Sequence, residues 1–142
     1  MVSVVHKATN TRKAAAGCII SFPKGILPDL HEQEILLPKG ALFQTAKLAG
    51  IMGVKRTADL IPLCHPINLD HVDLNFERLI DSVSITCTVQ TESKTGVEME
   101  ALTGCSVAAL TVYDMCKALT HDIIISEIKL LEKTGGKRDF KR

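Results

Sequence analysis

Strict alternation of apolar and polar residues marks the stretch VDLNFERLIDSVSITCTVQ, residues 72–90. Val72, Leu74 and Phe76 alternate with polar residues before a turn at Asp81, and a second alternating set, 83–89, follows the turn. A period of two is typical of strands with one buried and one solvated face. The stretch therefore predicts a β-hairpin.

Helical patterns lie on both sides of this hairpin. Apolar residues recur at helical spacing over 41–57, which predicts a helix packed along one face. The stretch 97–119 predicts a second, long helix that is apolar nearly all round, so it needs cover from its own sheet and offers a surface for a second subunit. A short helix interrupted by Pro28 is expected over 26–37.

The remaining segments complete an α+β chain. We expect a strand over 14–22, a loop over 61–68 because of its two prolines, and one or two closing strands within 123–131. Residues 1–13 are interpreted as a loosely held N-terminal arm, and the basic tail after Gly135-Gly136 as mobile. Two long helices among strands without a β-α-β rhythm predict a ferredoxin-like antiparallel sheet packed against both helices, in one domain spanning 14–142.

Composition restricts the class of partner. The formal net charge of 142 residues is +1, which gives no reason to expect a nucleic-acid or anionic-membrane partner. The five cysteines are far apart and include no Cys-x-x-Cys pair, which indicates reduced thiols in a cytosol. No secretory signal or membrane span is visible, so we expect a cytoplasmic protein.

The string LIPLCHP, residues 60–66, is the first candidate for chemistry. Pro66 restricts the backbone of His65, so an imidazole that can act as acid, base or anion donor is held on a stiff loop. A capping or surface histidine is the alternative. Zinc binding through Cys64 and His65 is disfavoured because no second ligand pair stands at metal spacing.

Charged residues at either end of the long helix are the second candidate. Glu98 and Glu100 share a face if extended and diverge in a helix, where they would simply complement its positive end. Asp114 and Lys117 are three apart and so neighbours on one helix face, in an otherwise apolar stretch. We interpret this pair as a site.

Lysines beside glycines are the third candidate. Lys133 and Lys137 surround Gly135-Gly136 and are suited to wrap around a phosphate, although such a motif is also common in surface turns. Lys39 precedes the first long helix, whose N-terminus favours anions. No Walker loop or dinucleotide fingerprint is present.

The order of these motifs resembles the cyclic pyranopterin monophosphate synthase family. The chain carries LPKG, AKLAGI, KRTADLIPLCHP, KTGVEMEALT, SVAALTVYDMCKAL and IKLLEKTGGK in that order, and the resemblance covers about residues 1 to 140. LIPLCHP, TGVEMEALT and ALTVYDMCKA are too long to be expected by chance in another family. Two places depart from the family pattern: Ser3 replaces an aspartate, and TGGKRDF lacks the usual small residues after its second lysine.

The resemblance implies a reaction and an assembly. Family members are ferredoxin-like subunits that form hexamers, as trimers of dimers, with each site at a dimer interface. They convert 3′,8-cyclo-7,8-dihydro-GTP to cyclic pyranopterin monophosphate and release pyrophosphate, as phosphorus–oxygen lyases of molybdenum cofactor biosynthesis. The resemblance implies no redox cofactor and no metal ligands in the protein, and it leaves open whether magnesium accompanies the triphosphate.

The resemblance also implies roles for individual residues. Lys117 and Lys39 match the family's proton-transfer lysines, and Asp114 matches its active-site aspartate. The matching substrate-binding residues are Leu63, Cys64, His65, Glu98, Met99 and Glu100, with Lys133, Lys137 and Arg12 on the triphosphate side. Two rival interpretations are a non-catalytic nucleotide- or pterin-binding oligomer and a metal-dependent cyclohydrolase acting on GTP. The acid–base residues argue against the first, and the lack of a Cys/His ligand set argues against the second.

Overall fold

A five-stranded antiparallel sheet forms the centre of the molecule. The structure is a computed structural model that describes residues 1–28 and 32–142. The strand order in the sheet is β4-β5-β1-β6-β7. The main strands are β1 (Asn10–Ser21), β4 (His71–Arg78), β5 (Ser82–Ser93) and β6 (Ile124–Thr134), with short β7 (Phe140–Lys141) at the edge. The helices are α1 (Leu42–Lys55), α2 (Thr57–Leu60) and α3 (Glu98–Cys116), and a separate two-stranded ribbon joins β2 (Leu36–Leu37) to β3 (Gly40–Ala41).

The predicted hairpin is confirmed. β4 and β5 pair antiparallel, with Leu74 opposite Cys87 and Phe76 opposite Ile85. Residues Val83, Ile85, Cys87 and Val89 are fully buried, while the polar residues between them are partly exposed, as the alternation predicts. This face of the sheet therefore packs against the hydrophobic core.

The connectivity gives the ferredoxin-like fold. Setting the short ribbon, α2 and β7 aside, the chain order is β1-α1-β4-β5-α3-β6. This is the β-α-β-β-α-β pattern, and β1 lies between β5 and β6 with every neighbour antiparallel. The α+β class and the two long helices predicted from the sequence are confirmed, and so is the loop over 61–68.

Close approach of the two long helices depends on glycine. A Cβ on Gly104 of α3 would lie 2.4 Å from Val54 Cγ2 of α1 and 2.7 Å from Cys87 Sγ of the sheet. A Cβ on Gly50 of α1 would lie 2.5 Å from a methyl group of Leu74. Such distances are far inside van der Waals contact, so α1, α3 and the sheet meet at a point that admits no side chain. This contact fixes how closely α1 and α3 approach each other and the sheet.

Three boundary predictions are wrong. β1 begins at Asn10, so residues 10–13 of the predicted arm pair with β5 in the sheet. The described residues of 26–37 contain no helix, because Leu36 and Leu37 pair with β3; residues 29–31 lie outside the described part. The predicted mobile tail forms β7 on the edge of β6, whose open backbone groups accept a further strand.

The cysteines are reduced, as the sequence predicts. All five cysteines are free thiols, and four of them are buried. Cys18 Sγ and Cys105 Sγ are 3.1 Å apart, in a thiol contact that joins β1 to α3. Within residues 1–28 and 32–142, none of the helices combines the length and the hydropathy that a membrane span needs.

Candidate active site

One carboxylate and two lysines meet at the C-terminal end of α3. Asp114 Oδ1 lies 2.7 Å from Lys117 Nζ, one turn along the helix. Asp114 Oδ2 lies 2.8 Å from Lys39 Nζ, which also donates to the Asp114 main-chain carbonyl at 3.3 Å. The three side chains are about half exposed. The structure thus brings together the three predicted catalytic residues, which we call the proton-transfer cluster.

The two ammonium groups set the charge of this cluster. The hydrogen bond from Lys117, followed by that from Lys39, lowers the pKa of Asp114 to about 2. The Asp114 carboxylate in turn raises the pKa of Lys117 above its ordinary value. At neutral pH Asp114 is therefore ionised and Lys117 is protonated. Lys117 therefore rests in the protonated form, and the Asp114 carboxylate holds its proton more tightly than usual.

Lys39 reaches the cluster from the β2–β3 ribbon. Leu37 pairs with Gly40, which leaves Pro38 and Lys39 at the tip, and Gly40 has a φ of +119° that favours glycine. The prediction that the start of α1 binds an anion beside Lys39 needs correction. The carboxylate of Glu34 already accepts from the amides of Phe43 and Gln44 at 2.8 and 3.0 Å, so this helix end is occupied by the chain itself.

A basic cavity of about 570 Å³ lies near the other end of α3. It is lined by six lysine or arginine side chains and by the carboxylate of Glu98; the cations are Lys7, Arg12, Lys13, Lys94, Lys133 and Lys137. Three of these cations were predicted for the triphosphate side. Lys7, Lys13 and Lys94 were not predicted, because no local sequence pattern indicates that three lysines so far apart in the chain lie close together in the fold. We call this space the cation cavity.

The glycine turn after β6 closes the cation cavity. Gly135 has a φ of +84°, and a Cβ there would lie 1.9 Å from the Thr11 carbonyl oxygen. The turn therefore lies directly against the strand that carries Arg12, which is buried and donates to the Ser93 carbonyl at 3.1 Å. The Gly135 amide donates to Asp139 at 3.2 Å, so the turn offers its lysines rather than this amide to an anion.

A smaller pocket of about 170 Å³ adjoins the cation cavity and shares Thr95, Gly96 and Glu98 with it. The predicted substrate-binding residues Leu63, Cys64, His65, Met99 and Glu100 all line it, together with Ile67. Burial, followed by the charge of Glu100, raises the pKa of the Cys64 thiol. Cys64 is therefore a neutral thiol at neutral pH. We call this space the ring pocket.

Glu98 and Glu100 lie in the first turn of α3 and carry opposite pKa shifts. Burial opposes ionisation of Glu98, but the hydrogen bond from Lys133 at 2.8 Å and the charge of Arg12 outweigh it and lower its pKa. Glu100 is only 4% exposed, and burial raises its pKa. Paired carboxyl groups with pKa values moved apart are typical of sites in which one group holds a proton and the other a charge.

The predicted residues fall into two groups at opposite ends of one helix. Glu98 and Asp114 are sixteen positions apart on α3, or about 24 Å at 1.5 Å per residue. Lys39, Asp114 and Lys117 lie at one end, while His65 and the other predicted binding residues lie at the other. Within residues 1–28 and 32–142, no three His, Cys, Asp or Glu side chains are grouped as metal ligands would be.

Comparisons with known proteins identify the family of this chain. The family model described as "MoaC family" matches residues 1–136. The "Molybdenum cofactor biosynthesis bifunctional protein" of Synechocystis sp. is 52% identical, over 98% of this chain and 42% of that protein. The "Cyclic pyranopterin monophosphate synthase" of Xanthomonas axonopodis pv. citri is 48% identical, over 99% of this chain and 86% of that protein.

A further relative extends the range of organisms. The "Cyclic pyranopterin monophosphate synthase" of Heliobacterium modesticaldum is 49% identical, over 96% of this chain and 86% of that protein. The chain thus spans most of these two synthases and less than half of the bifunctional protein. With the motifs, the fold and nearly the whole length in agreement, this chain belongs to the MoaC family.

Proposed function

We propose that this chain is a cyclic pyranopterin monophosphate synthase. It converts 3′,8-cyclo-7,8-dihydro-GTP to cyclic pyranopterin monophosphate and pyrophosphate, an early step of molybdenum cofactor biosynthesis. The observation that carries the proposal is the proton-transfer cluster, in which Asp114 lies within 2.8 Å of both Lys39 and Lys117. A protein that only binds a nucleotide has no need of such a cluster, and two relatives carry the synthase name.

The chemistry assigns a task to each region. A hydroxyl of the rearranged substrate attacks the α-phosphorus and releases its proton to solvent, and pyrophosphate leaves with the electrons of the broken P–O bond. The cation cavity holds the triphosphate and stabilises the charge that develops on the leaving pyrophosphate. The ring pocket holds the purine-derived rings, and protonated Lys117 donates a proton during ring opening. None of these steps transfers electrons to a redox cofactor.

A complete site requires two copies of the chain. A general acid must lie within hydrogen-bonding distance of the group that it protonates. Within one subunit the ring pocket and the proton-transfer cluster are separated by about 24 Å along α3. We therefore propose that each site combines the proton-transfer cluster of one subunit with the ring pocket and cation cavity of its partner.

Exposed apolar residues support assembly. Leu48 and Met52 lie one turn apart on α1 and are 63% and 55% exposed, and Leu110 on α3 is 61% exposed. Large apolar side chains grouped on helices of a small domain are typical of subunit interfaces. We propose a homohexamer, built as a trimer of dimers. The cytoplasm is the proposed location, supported by the five free thiols.

Complementation between inactive variants tests both the activity and the shared site. Asp114→Ala removes the proton-transfer cluster, and Lys133→Ala removes a cation of the cation cavity. Each variant alone should release little pyrophosphate from 3′,8-cyclo-7,8-dihydro-GTP. After subunit exchange in an equal mixture, about one quarter of all sites should be intact, because half of the dimers are mixed and each has one intact site.

A second mixture serves as the matched control. Asp114→Ala with Lys117→Ala should stay inactive, since both changes damage the same cluster. Activity confined to single subunits would leave the first mixture inactive as well and would refute the shared site. Binding without pyrophosphate release by the wild-type protein would favour the non-catalytic alternative. Parallel assays with magnesium and with a chelator test whether the metal accompanies the triphosphate.

A further inference from the structure

Glu34 makes an unusual set of contacts outside the predicted site. Its Oε1 accepts from the amides of Ile35 and Phe43, both at 2.8 Å, and its Oε2 accepts from the amide of Gln44 at 3.0 Å. The N-cap position of α1 is Ala41, which has no capping side chain, and the first turn of α1 contains no acid. Glu34 therefore caps the helix from seven positions before Ala41.

These contacts clamp the two ends of the ribbon that carries Lys39. On one side is Glu34 itself, and on the other are the amides of Phe43 and Gln44 to which it is bonded. The Leu42 amide also donates to the Ile35 carbonyl at 2.9 Å. Between these points the ribbon contributes only the two residue pairs of β2 and β3. A ribbon of two pairs has little stability of its own, so its position depends on the clamp together with the burial of Ile35 and Leu37 against the core.

We infer that Glu34 is a positioning residue of the reaction: it holds the β2–β3 ribbon so that Lys39 Nζ lies against Asp114. This inference rests on the proposed function, in which Lys39 is a proton-transfer residue. The ribbon tip reaches α3 through Lys39, which bonds both the side chain and the main-chain carbonyl of Asp114. Loss of the clamp should therefore release Lys39 while leaving Lys117 on its own helix.

A double-mutant cycle separates positioning from helix stability. Pyrophosphate release is measured for the wild type, Glu34→Ala, Lys39→Ala and the double variant. A single acid–base group contributes about 10²- to 10⁴-fold, so Glu34→Ala should lower kcat by roughly 10- to 100-fold with little change in KM. In the Lys39→Ala background, Glu34→Ala should cost less than about twofold. Equal losses in both backgrounds would overturn the inference.

Two further variants guard against a trivial loss of folding. Glu34→Gln keeps an acceptor oxygen and the length of the side chain, and it should retain more activity than Glu34→Ala. Glu77→Ala removes an exposed glutamate from β4 and should leave the rate unchanged. A Glu34→Ala variant with wild-type kcat overturns the inference.

Amine labelling gives a readout that does not depend on turnover. Lys47 is a matched internal reference, since its Nζ lies 2.8 Å from Asp73 and its exposure of 41% is close to the 53% of Lys39. Acetylation of Lys39 relative to Lys47, followed by mass spectrometry, should rise in Glu34→Ala and stay unchanged in Glu77→Ala. An unchanged Lys39-to-Lys47 labelling ratio in Glu34→Ala overturns the inference, whether or not the wild type is active. An inactive wild type is a different result and refutes the proposed function.

Discussion

Replacing Lys117 by alanine should separate catalysis from binding. Lys117 lies at the C-terminal end of α3, about 26 to 29 Å at 1.5 Å per residue from the first-turn residues that line the cavities of its own subunit. In the proposed dimer it meets the substrate rings, while the triphosphate is held by the cations of the partner. Lys117→Ala should therefore lower kcat by about 10²- to 10⁴-fold, the usual contribution of one general acid, and change KM little.

Lys117→Arg is the matched control for charge. Arginine keeps a cation beside Asp114 but does not give up its proton at neutral pH, so it should restore the ion pair without restoring the rate. Steady-state pyrophosphate release gives kcat and KM for each variant. A rise in KM that matches the whole loss of kcat/KM, or a full rescue by arginine, would refute the acid–base role and leave Lys117 as a binding residue.

The sequence predicted the elements with a clear apolar pattern. The hairpin of β4 and β5 follows from a period of two and α1 from helical spacing, whereas α3 was predicted from a long stretch that is apolar nearly all round; Val83, Ile85 and Ala108 are buried accordingly. The β2–β3 ribbon escaped prediction, because its two residue pairs are too short for periodicity. It is held by the long-range contacts of Glu34, which no local pattern contains. The tail was missed because β7 forms on the open edge of β6.

The candidate site was predicted as a set of residues but not as an arrangement. The i,i+3 contact of Asp114 with Lys117 follows from helix geometry alone. The third member, Lys39, is 75 positions from Asp114, and only the folded ribbon brings the two together. Glu98 and Asp114 lie on the same helix, so the separation of the two groups could have been read from the rise per residue. Lys7, Lys13 and Lys94 could not, because they converge only through the pairing of β1 with β5 and β6.

Two further predictions concern the cavities and use matched pairs of variants. Gly135→Ala should weaken substrate binding and raise KM, because its Cβ would lie 1.9 Å from the Thr11 carbonyl oxygen. Gly25→Ala, with a similar positive φ but no atom within 4 Å, should leave KM unchanged, and equal effects would refute this reasoning. The second pair concerns pH. The raised pKa of Glu100 means that the folded state holds the proton of this carboxyl group more tightly than the unfolded chain does. The stability that this proton confers is complete below the ordinary pKa of about 4.3. It is lost as pH rises through the pKa of the folded state. The lowered pKa of Glu98 has the opposite consequence: its contribution is present above the ordinary pKa and is lost as pH falls through the folded pKa. The free energy of unfolding is measured in urea between pH 3 and pH 8, from about one unit below to nearly four units above that ordinary value. As pH rises, Glu100→Gln should gain stability relative to the wild type, and Glu98→Gln should lose it. Parallel pH profiles for the two variants would show that the pKa values of these two carboxyl groups are not shifted in opposite directions.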